Sequence, residues 1–142
     1  MRYTIFILSL LFPFLPTSAQ PKHEVRAAWV TAVYGLDWPR TRATTPQTIH
    51  KQKEELTDIL DKLKAANFNT VLFQTRTRGD VLYTSAIEPF NSILTGKTGG
   101  NPGYDPLAFA IEECHKRGME CHAWMVTVPL GNKKHVTSLG SR

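Results

Sequence analysis

The chain of 142 residues lacks an apolar run long enough to cross a membrane as a permanent helix. Its longest apolar run, residues 4–15, is about twelve residues long, whereas a transmembrane helix needs about 20. A basic start precedes this run, and the small residues 17–19 (T-S-A) follow it. This order is typical of a secretory signal peptide. We therefore predict a cleaved leader at residues 1–19, export to the periplasm, cell envelope or medium, and no stable membrane span afterwards.

Sequence motifs of several enzyme classes are absent as well. The first predicted strand–helix turn, residues 31–39, reads T-A-V-Y-G-L-D-W-P and has one glycine. A dinucleotide-binding fold would need G-x-G-x-x-G at that turn. The chain also lacks a G-x-S-x-G nucleophile motif, internal repeats and low-complexity segments. These absences disfavour a nicotinamide-dependent oxidoreductase and a serine nucleophile, and we predict no cofactor.

The positive charge of the chain is modest and dispersed. Seventeen Lys and Arg residues face twelve Asp and Glu residues, which gives a formal net charge of +5. The basic residues are scattered along the sequence, so they form no footprint for nucleic acid. The net charge favours solubility and is compatible with an anionic polymer as a partner. Because the basic residues are dispersed, we do not predict nucleic-acid binding.

Cysteine is scarce, with Cys114 on a predicted helix and Cys121 on the strand that follows. The pair could form a disulfide in an oxidising compartment or serve as two small buried hydrophobic residues, and the sequence leaves both alternatives open. His115 and His122 are seven residues apart, which is not a metal-ligand spacing, so we predict no metal site.

Three predicted strands alternate with two predicted helices. The strands are expected at residues 25–31, 70–75 and 119–126, and the helices at residues 46–66 and 106–117. Thr45 and Asp105 each precede a proline and are typical N-caps, while Asn67 and Gly118 suit the helix ends. The resulting βαβαβ order implies parallel strands joined by right-handed crossovers.

Either a doubly wound sheet or the start of a barrel fits this α/β order, and the missing glycine fingerprint favours the barrel. A complete barrel needs about 250 residues, and three strands cannot close one. We therefore predict that residues 20–142 are the N-terminal βαβαβ portion of a (β/α)8 TIM-type barrel. The barrel is incomplete in this chain, and its remainder is expected in the full-length protein.

A long segment after the second strand, residues 77–104, is dense in polar and aromatic side chains. Loops of this length are uncommon and are often functional. In parallel barrels the ligand lies at the carboxyl ends of the strands. Aromatic rings can stack on sugars, and Gln, Arg and Asp can hydrogen-bond sugar hydroxyls. The predicted substrate-binding residues are Gln74, Arg76, Asp80, Tyr83, His122 and Trp124.

Other roles are open for several of these side chains. Trp124 could fill the barrel interior, and Arg76 could pair with Asp80 to brace the loop. Glycoside hydrolysis normally uses two carboxylates about 5–10 Å apart. Asp37, Asp80 and Glu88 belong to the expected binding end, but no pair among them is marked by the sequence, so we assign no catalytic residue.

Several motifs together resemble the glycosyl hydrolase-like family ten domain of exported bacterial proteins. The motifs are E-V-R-A-A-W-V-T (24–31), N-T-V-L-F-Q-T-R-T-R-G-D-V-L-Y-T-S (69–85), E-P-F-N-S-I-L-T-G (88–96), P-G-Y-D-P-L-A-F (102–109) and H-K-R-G-M-E-C-H-A-W (115–124). The resemblance extends over residues 24–140 and implies a (β/α) barrel that hydrolyses a glycan. Bacterial cell-wall peptidoglycan is the substrate class reported for some members.

Within the resemblance, residues 74–76 and 78–80 match the family signature after its second strand, and residues 122–124 match the signature at its third. The family also carries acidic D-G-[IV]-x-F-D-[DY] signatures later in the barrel, which this sequence does not contain. We therefore expect a fragment of a glycoside hydrolase-like protein without the catalytic acids. The alternative is a non-catalytic glycan-binding protein or a degenerate barrel remnant.

Overall fold

The computed structural model describes residues 24–129, so the leader predicted at residues 1–19 lies outside the described part. In chain order the elements are β1 (Ala27–Val30), α1 (Pro46–Ala65), β2 (Thr70–Arg76), α2 (Pro106–Lys116) and β3 (Glu120–Met125). The predicted βαβαβ order is confirmed. Within residues 24–129, neither helix has the length and apolar character to pass through a membrane.

The three strands form one parallel sheet in the order β1-β2-β3. In the register of this sheet, Trp29 lies beside Leu72, which lies beside His122. An irregularity between Gln74 and Arg76 interrupts the pairing near the end of β2. A small parallel sheet with two crossover helices is compatible with part of a TIM-type barrel.

Both helices begin as their sequences predict. The Thr45 side chain accepts a hydrogen bond from the backbone N–H of Thr48, and the Thr48 hydroxyl accepts one from the backbone N–H of Thr45. Asp105 caps α2 by accepting the backbone N–H of Ala108 at 2.9 Å. Such caps contribute about 1 kcal/mol each because they satisfy N–H groups that the helix leaves without partners.

The first and third strands are shorter than the sequence predicts, whereas β2, expected over residues 70–75, extends one residue further to Arg76. The first was expected over residues 25–31, but it ends at Val30 because the Asp37 carboxylate accepts the Thr31 N–H at 2.8 Å. The third was expected to begin at Met119, but the Met119 N–H donates to the carbonyl of Cys114 and so belongs to the end of α2. The N–H groups of Thr31 and Met119 therefore donate to a side chain and to a helix end, and not to a neighbouring strand.

The two faces of the sheet have different surroundings. Val30, Val71 and Phe73 face the helices and pack into one buried cluster with Leu56, Leu60, Ala110, Cys114 and Met119. Alternation along the strands puts Trp29 and Trp124 on the opposite face. Their rings meet edge to face with centroids 4.7 Å apart, and Trp29 remains 57% exposed. In a closed barrel this second face would point inward.

The long segment between β2 and α2 is packed rather than extended into solvent. Val81 bridges Arg76 on one side and Phe90 on the other, and Val81, Leu82 and Leu94 are completely buried. The apolar side chains of this segment differ in their burial, because Leu94 is buried while Ile87 is 82% exposed.

A buried glutamine on α1 fastens the loops to the helix. The amide nitrogen of Gln52 donates to the carbonyls of Thr41 and Leu94 at 2.6 and 3.0 Å. Its amide oxygen accepts the Tyr104 hydroxyl at 2.6 Å. The backbone carbonyl of Gln52 also accepts the indole N–H of the fully buried Trp38 at 2.8 Å. These bonds hold the loops after β1 and β2 in place beside the ends of the strands.

Candidate functional site

A cavity of about 250 Å³ lies where β1 and β2 end. Its wall combines an aromatic ring and apolar atoms with hydroxyl, amide, carboxylate and guanidinium groups, contributed among others by Tyr34, Thr77, Arg78, Asp80, Asn91 and Ile93. The carboxyl end of a parallel sheet is the usual place for a ligand in this architecture. The mixture of one ring with many hydrogen-bonding groups suits a sugar better than an apolar ligand.

The most exposed part of the wall is an aromatic–cation pair. Tyr34 has a left-handed backbone conformation with φ of +57°, which is uncommon for a residue other than glycine, and it is 73% exposed. The Arg78 guanidinium lies 4.8 Å from the centre of the Tyr34 ring and donates to its hydroxyl. Such contacts contribute about 0.5–1 kcal/mol at exposed sites. The pair fixes the orientation of two side chains that would otherwise be free to rotate.

Gln74, one of the predicted site residues, holds the segment that carries Tyr34. Its buried side-chain oxygen accepts the backbone N–H groups of Ala32 and Val33, both at 2.9 Å. These donors follow β1 directly and would otherwise lack a strand partner. Gln74 therefore positions Tyr34 from the neighbouring strand, and its contact with a substrate stays a prediction.

Asp80 closes a buried polar network at the floor of the cavity. Its Oδ1 accepts the Thr77 hydroxyl, the backbone N–H of Arg78 at 3.2 Å and the Asn91 amide at 3.0 Å. Asn91 also donates to Thr77 at 2.7 Å. Gly79, with φ of +79°, allows the tight turn that brings Asp80 back toward Thr77. A network this interconnected rigidifies the loop and keeps a polar cavity in one shape.

Arg76 is committed to a brace, although its partner differs from the one the sequence suggested. Its Nε and Nη2 donate to the Glu88 carboxylate over 2.6–3.0 Å, and its Nη1 donates to the carbonyls of Val126 and Thr127. A pair with Asp80 was one of the two roles that the sequence left open for Arg76, but the Asp80 carboxylate accepts hydrogen bonds within its own turn. Arg76, the last residue of β2, thus connects the loop that carries Glu88 to the segment that follows β3.

The electrostatics of this brace follow from its burial. The Arg76 side chain is only 9% exposed, and the Glu88 side chain is 23% exposed. Hydrogen bonding to Arg76 holds the pKa of Glu88 below its usual range, against a smaller opposing effect of burial. The same contact raises the pKa of Arg76. Glu88 is therefore ionised at neutral pH and cannot serve as a proton donor there.

The remaining predicted site residues lie apart from the cavity. Trp124 is in register with Gln74 and faces away from the helices, against Trp29. His122 lies two residues earlier on the same face, with its Nε2 3.0 Å from Glu120. Tyr83 is half-buried near Arg76. The structure thus gathers Gln74, Arg76 and Asp80 at the end of β2 and separates His122 from them.

Of the eight residues that line the cavity, only Asp80 belongs to the predicted set, and Tyr34, Arg78 and Asn91 are among the seven that the prediction missed. Tyr34 and Arg78 could have been included, because both follow strands whose ends face a ligand in a barrel. Asn91 carries no comparable signal, since it reaches the cavity only through the fold of the long loop.

The carboxylates near the cavity are all engaged in local structure. Asp37 accepts the Thr31 N–H, Asp80 belongs to its polar network, and Glu88 is paired with Arg76. Within residues 24–129, no group of three or more His, Cys, Asp or Glu side chains is arranged to hold a metal ion. The site as described is equipped for binding by hydrogen bonds and stacking.

The sequence model of a family described as glycosyl hydrolase-like 10 matches residues 24–139. The chain belongs to this family. The resemblance deduced from the motifs is thereby confirmed, and the cavity is a feature of a glycosyl hydrolase-like 10 protein. Residues 74–80, which carry one of those motifs, form the end of β2 and the floor of the cavity.

Two bacterial relatives show how much of such a protein the chain represents. Glycosyl hydrolase YngK of Bacillus subtilis (strain 168) is 41% identical over 119 residues, which is 84% of this chain and 22% of that protein. Glycosyl hydrolase DigH of Escherichia coli (strain K12) is 40% identical over 112 residues, 76% of this chain and 26% of that protein. The chain therefore spans about a quarter of the length of these curated relatives.

Proposed function

We propose that this glycosyl hydrolase-like 10 chain belongs to an exported protein that acts on a glycan, and that the chain binds the sugar. The observation that carries the proposal is the cavity at the ends of β1 and β2, where the exposed ring of Tyr34 stands beside Arg78 above a polar floor. A sugar ring offers an apolar face for stacking and hydroxyls for the floor to hydrogen-bond. Membership of the glycosyl hydrolase-like 10 family also supports a glycan as the substrate class.

We infer that the chemical step depends on carboxylates outside residues 24–129. Glycoside hydrolysis needs one protonated and one ionised carboxylate across the bond. Glu88 is held in its ionised form by Arg76, and the nearby Asp37 and Asp80 oxygens accept structural hydrogen bonds. Since the chain spans 22–26% of its relatives, the rest of such a protein has ample room for the catalytic pair.

The rest of a (β/α)8 barrel is the partner we propose for the uncovered face of the sheet. Trp29 and Trp124 lie on that face, and the described part of the chain leaves Trp29 largely exposed. Further strands would convert this face into a barrel interior and pair the open edges of β1 and β3. The uncovered aromatic pair supports this arrangement because an isolated sheet gains nothing from exposing it.

Peptidoglycan glycan strands are the substrate to test first, with other polysaccharides as comparison. Binding of purified strands is measured by titration calorimetry with Tyr34→Asn, because asparagine tolerates the left-handed backbone that Tyr34 adopts. Loss of the stacking surface is expected to weaken binding about 10-fold, which corresponds to about 1.4 kcal/mol. Val25→Ala, an exposed apolar position before β1 at the other end of the strand, is the matched control.

The outcome for Tyr34→Asn decides whether this cavity is the sugar site. If a folded Tyr34→Asn protein binds the glycan with unchanged affinity, the sugar does not bind at this cavity. Equal weakening by Val25→Ala would show that the titration reports stability instead of contact.

A non-catalytic glycan-binding protein is the second candidate, favoured because the carboxylates near the cavity are occupied. An assay for new reducing ends distinguishes the two candidates. It is carried out on a protein that contains the whole proposed barrel, after the glycan has been shown to bind. Binding with release supports the hydrolase, and binding without release supports the second candidate.

Export is the remaining part of the proposal and rests on the leader pattern in residues 1–19. Amino-terminal sequencing of the protein recovered from the envelope or medium is expected to begin at Gln20. Recovery of the uncleaved protein in the cytoplasm would contradict export without affecting the proposed sugar site.

A further inference from the structure

Two thiols meet at the edge of the hydrophobic core, where α2 returns to the sheet. Cys114 lies in the last turn of α2 and is completely buried, whereas Cys121 lies on β3 and is half-buried against the same cluster. Both side chains pack into the same cluster from two different elements, and both cysteines are in the free thiol form. Two free thiols that share one cluster, one buried and one reachable from the surface, can pack as small hydrophobic residues and can also react with each other.

The backbone explains why the two side chains converge. Gly118, with φ of +62°, reverses the chain at the end of α2, and the Met119 N–H donates to the Cys114 carbonyl at 2.9 Å. The Glu120 N–H then donates to the Asn69 carbonyl at 2.9 Å, which starts β3 beside β2. Strand alternation turns Cys121 toward the helix that carries Cys114. Helix end and strand start therefore hold the thiols together from both sides.

The two sulfur atoms differ in access and acidity. Cys121 borders an open surface groove that His115, Met119 and His122 also line, whereas Cys114 lies behind it in the core. The neighbouring Cys114 thiol, with a smaller contribution from His122, lowers the pKa of Cys121 against the effect of burial. The neighbouring Cys121 thiol and burial raise the pKa of Cys114. Cys121 is the more accessible nucleophile, and Cys114 can react only with a neighbour.

We propose that Cys114 and Cys121 form a reversible intramolecular disulfide when the protein meets a disulfide oxidant, such as a disulfide-bonded oxidoreductase or oxidised glutathione. The Cys121 thiolate attacks one sulfur of the oxidant, whose S–S bond breaks and releases the first thiol. Cys114 then loses its proton to solvent and attacks the Cys121 sulfur, and the mixed disulfide breaks and releases the second thiol. Two protein thiols are oxidised and one oxidant disulfide is reduced, so electrons and protons balance.

This inference depends on the proposed function in one respect: export would bring the protein into an oxidising compartment, where it meets a disulfide oxidant. The bond would tie the end of α2 to β3 and so fasten the open edge of the described sheet. Closing such a short loop stabilises mainly by constraining the unfolded chain.

The experiment uses the protein without its leader, equilibrated with oxidised and reduced glutathione over a series of ratios. After acid quenching, mass spectrometry of the intact protein distinguishes the two products. The internal disulfide has lost two hydrogens, and the mixed disulfide has gained one glutathione. The same titration is repeated in concentrated guanidinium chloride. The equilibrium constant for the internal disulfide is expected to be at least about 10-fold larger in the native protein. Equal constants in the two conditions, or a glutathione adduct as the sole native product, would overturn the proposal.

Two single variants identify the order of attack. Cys114→Ala retains the accessible thiol and is expected to stop at one bound glutathione. Cys121→Ala retains the buried thiol and is expected to react at least about 10-fold more slowly. Comparable rates in the two variants would contradict the assigned order. No readout involves a glycan or the leader, so failure here leaves the proposed function standing, and failure of that function leaves this test valid.

Discussion

Removing the Glu88 carboxylate tests whether the Arg76 brace holds the loop that shapes the cavity. In Glu88→Ala the guanidinium keeps only its bonds to the carbonyls of Val126 and Thr127. The Arg76 side chain, which is 9% exposed in the natural protein, would lose its hydrogen-bonded counter-ion and keep only the weaker charge interaction with Asp80. Loss of one partner from a buried pair is strongly destabilising because the remaining charge is uncompensated.

The size of this effect follows from the burial of the two partners. Fully buried pairs lose about 3–5 kcal/mol when one partner is removed, and the 23% exposure of Glu88 puts this pair at the lower end. We expect Glu88→Ala to reduce the free energy of loop opening by about 3 kcal/mol, which is roughly 100-fold in the opening equilibrium. Glu88→Gln keeps a neutral acceptor and should lose about 1–2 kcal/mol.

The assay is native-state proteolysis of the loop between β2 and α2, with the opening equilibrium taken from cleavage rates at low protease concentration. Glu112→Ala is the matched control, because Glu112 pairs with an exposed lysine and should change the equilibrium by less than about 1 kcal/mol. If Glu88→Ala and Glu112→Ala open the loop equally, the brace contributes nothing beyond a surface ion pair and the reasoning is refuted.

The same pair predicts a pH dependence with a definite sign. The pKa of Glu88 is lower in the folded protein than in the unfolded chain, so its stabilisation is fully present above the unfolded value of about 4.3. It is lost as the pH falls through the lower folded value. Loop opening of the natural protein should therefore rise more steeply at acidic pH than opening of Glu88→Gln, which has no proton to bind at this position. Parallel pH profiles would contradict the assignment.

Two further changes test the scaffold behind the cavity. Gln52→Leu deletes the amide that donates to the carbonyls of Thr41 and Leu94. Leaving these buried groups without partners should destabilise the surrounding loops by about 2–3 kcal/mol, measured as faster hydrogen exchange of their backbone amides. Asp105→Ala removes the acceptor of the Ala108 and Thr84 N–H groups and should cost at least about 1 kcal/mol, seen as a lower urea midpoint. Asp105→Asn should restore it only in part, because an amide offers one oxygen acceptor and a carboxylate offers two.

The parts of the fold that depend on neighbours in sequence were predictable. Thr45 and Asp105 predict the helix starts because a short polar side chain there accepts hydrogen bonds from the first helical N–H groups. The proline that follows each of them fits the first position of a helix. Asn67 and Gly118 mark helix ends because both adopt the left-handed conformation that reverses the chain. These signals act within a single turn, so the sequence contains all the information that they need.

The site was only partly predictable because its contacts are made across the fold. Glu88 meets Arg76 through the return of a long loop, and no sequence spacing distinguishes it from Asp80 as the partner. Asn91 enters the cavity for the same reason. The position of Gln74 at the end of β2 was evident, but its bonds to the backbone after β1 require knowing which strand lies beside it. Tertiary pairing, not residue type, decides these roles.

The uncovered face of the sheet and the cavity are linked through β2 and β3, since Gln74 and Trp124 are in register on that face. Trp29, packed against Trp124, is 57% exposed. A tryptophan buries up to about 250 Å² when covered, so hiding the exposed part of Trp29 would contribute about 3 kcal/mol at about 25 cal/mol per Å². Gln74, which positions Tyr34 at the cavity, is in register with Trp124 on that face and is already buried. Closure of the proposed barrel would therefore cover side chains that lie next to the support of the proposed sugar site.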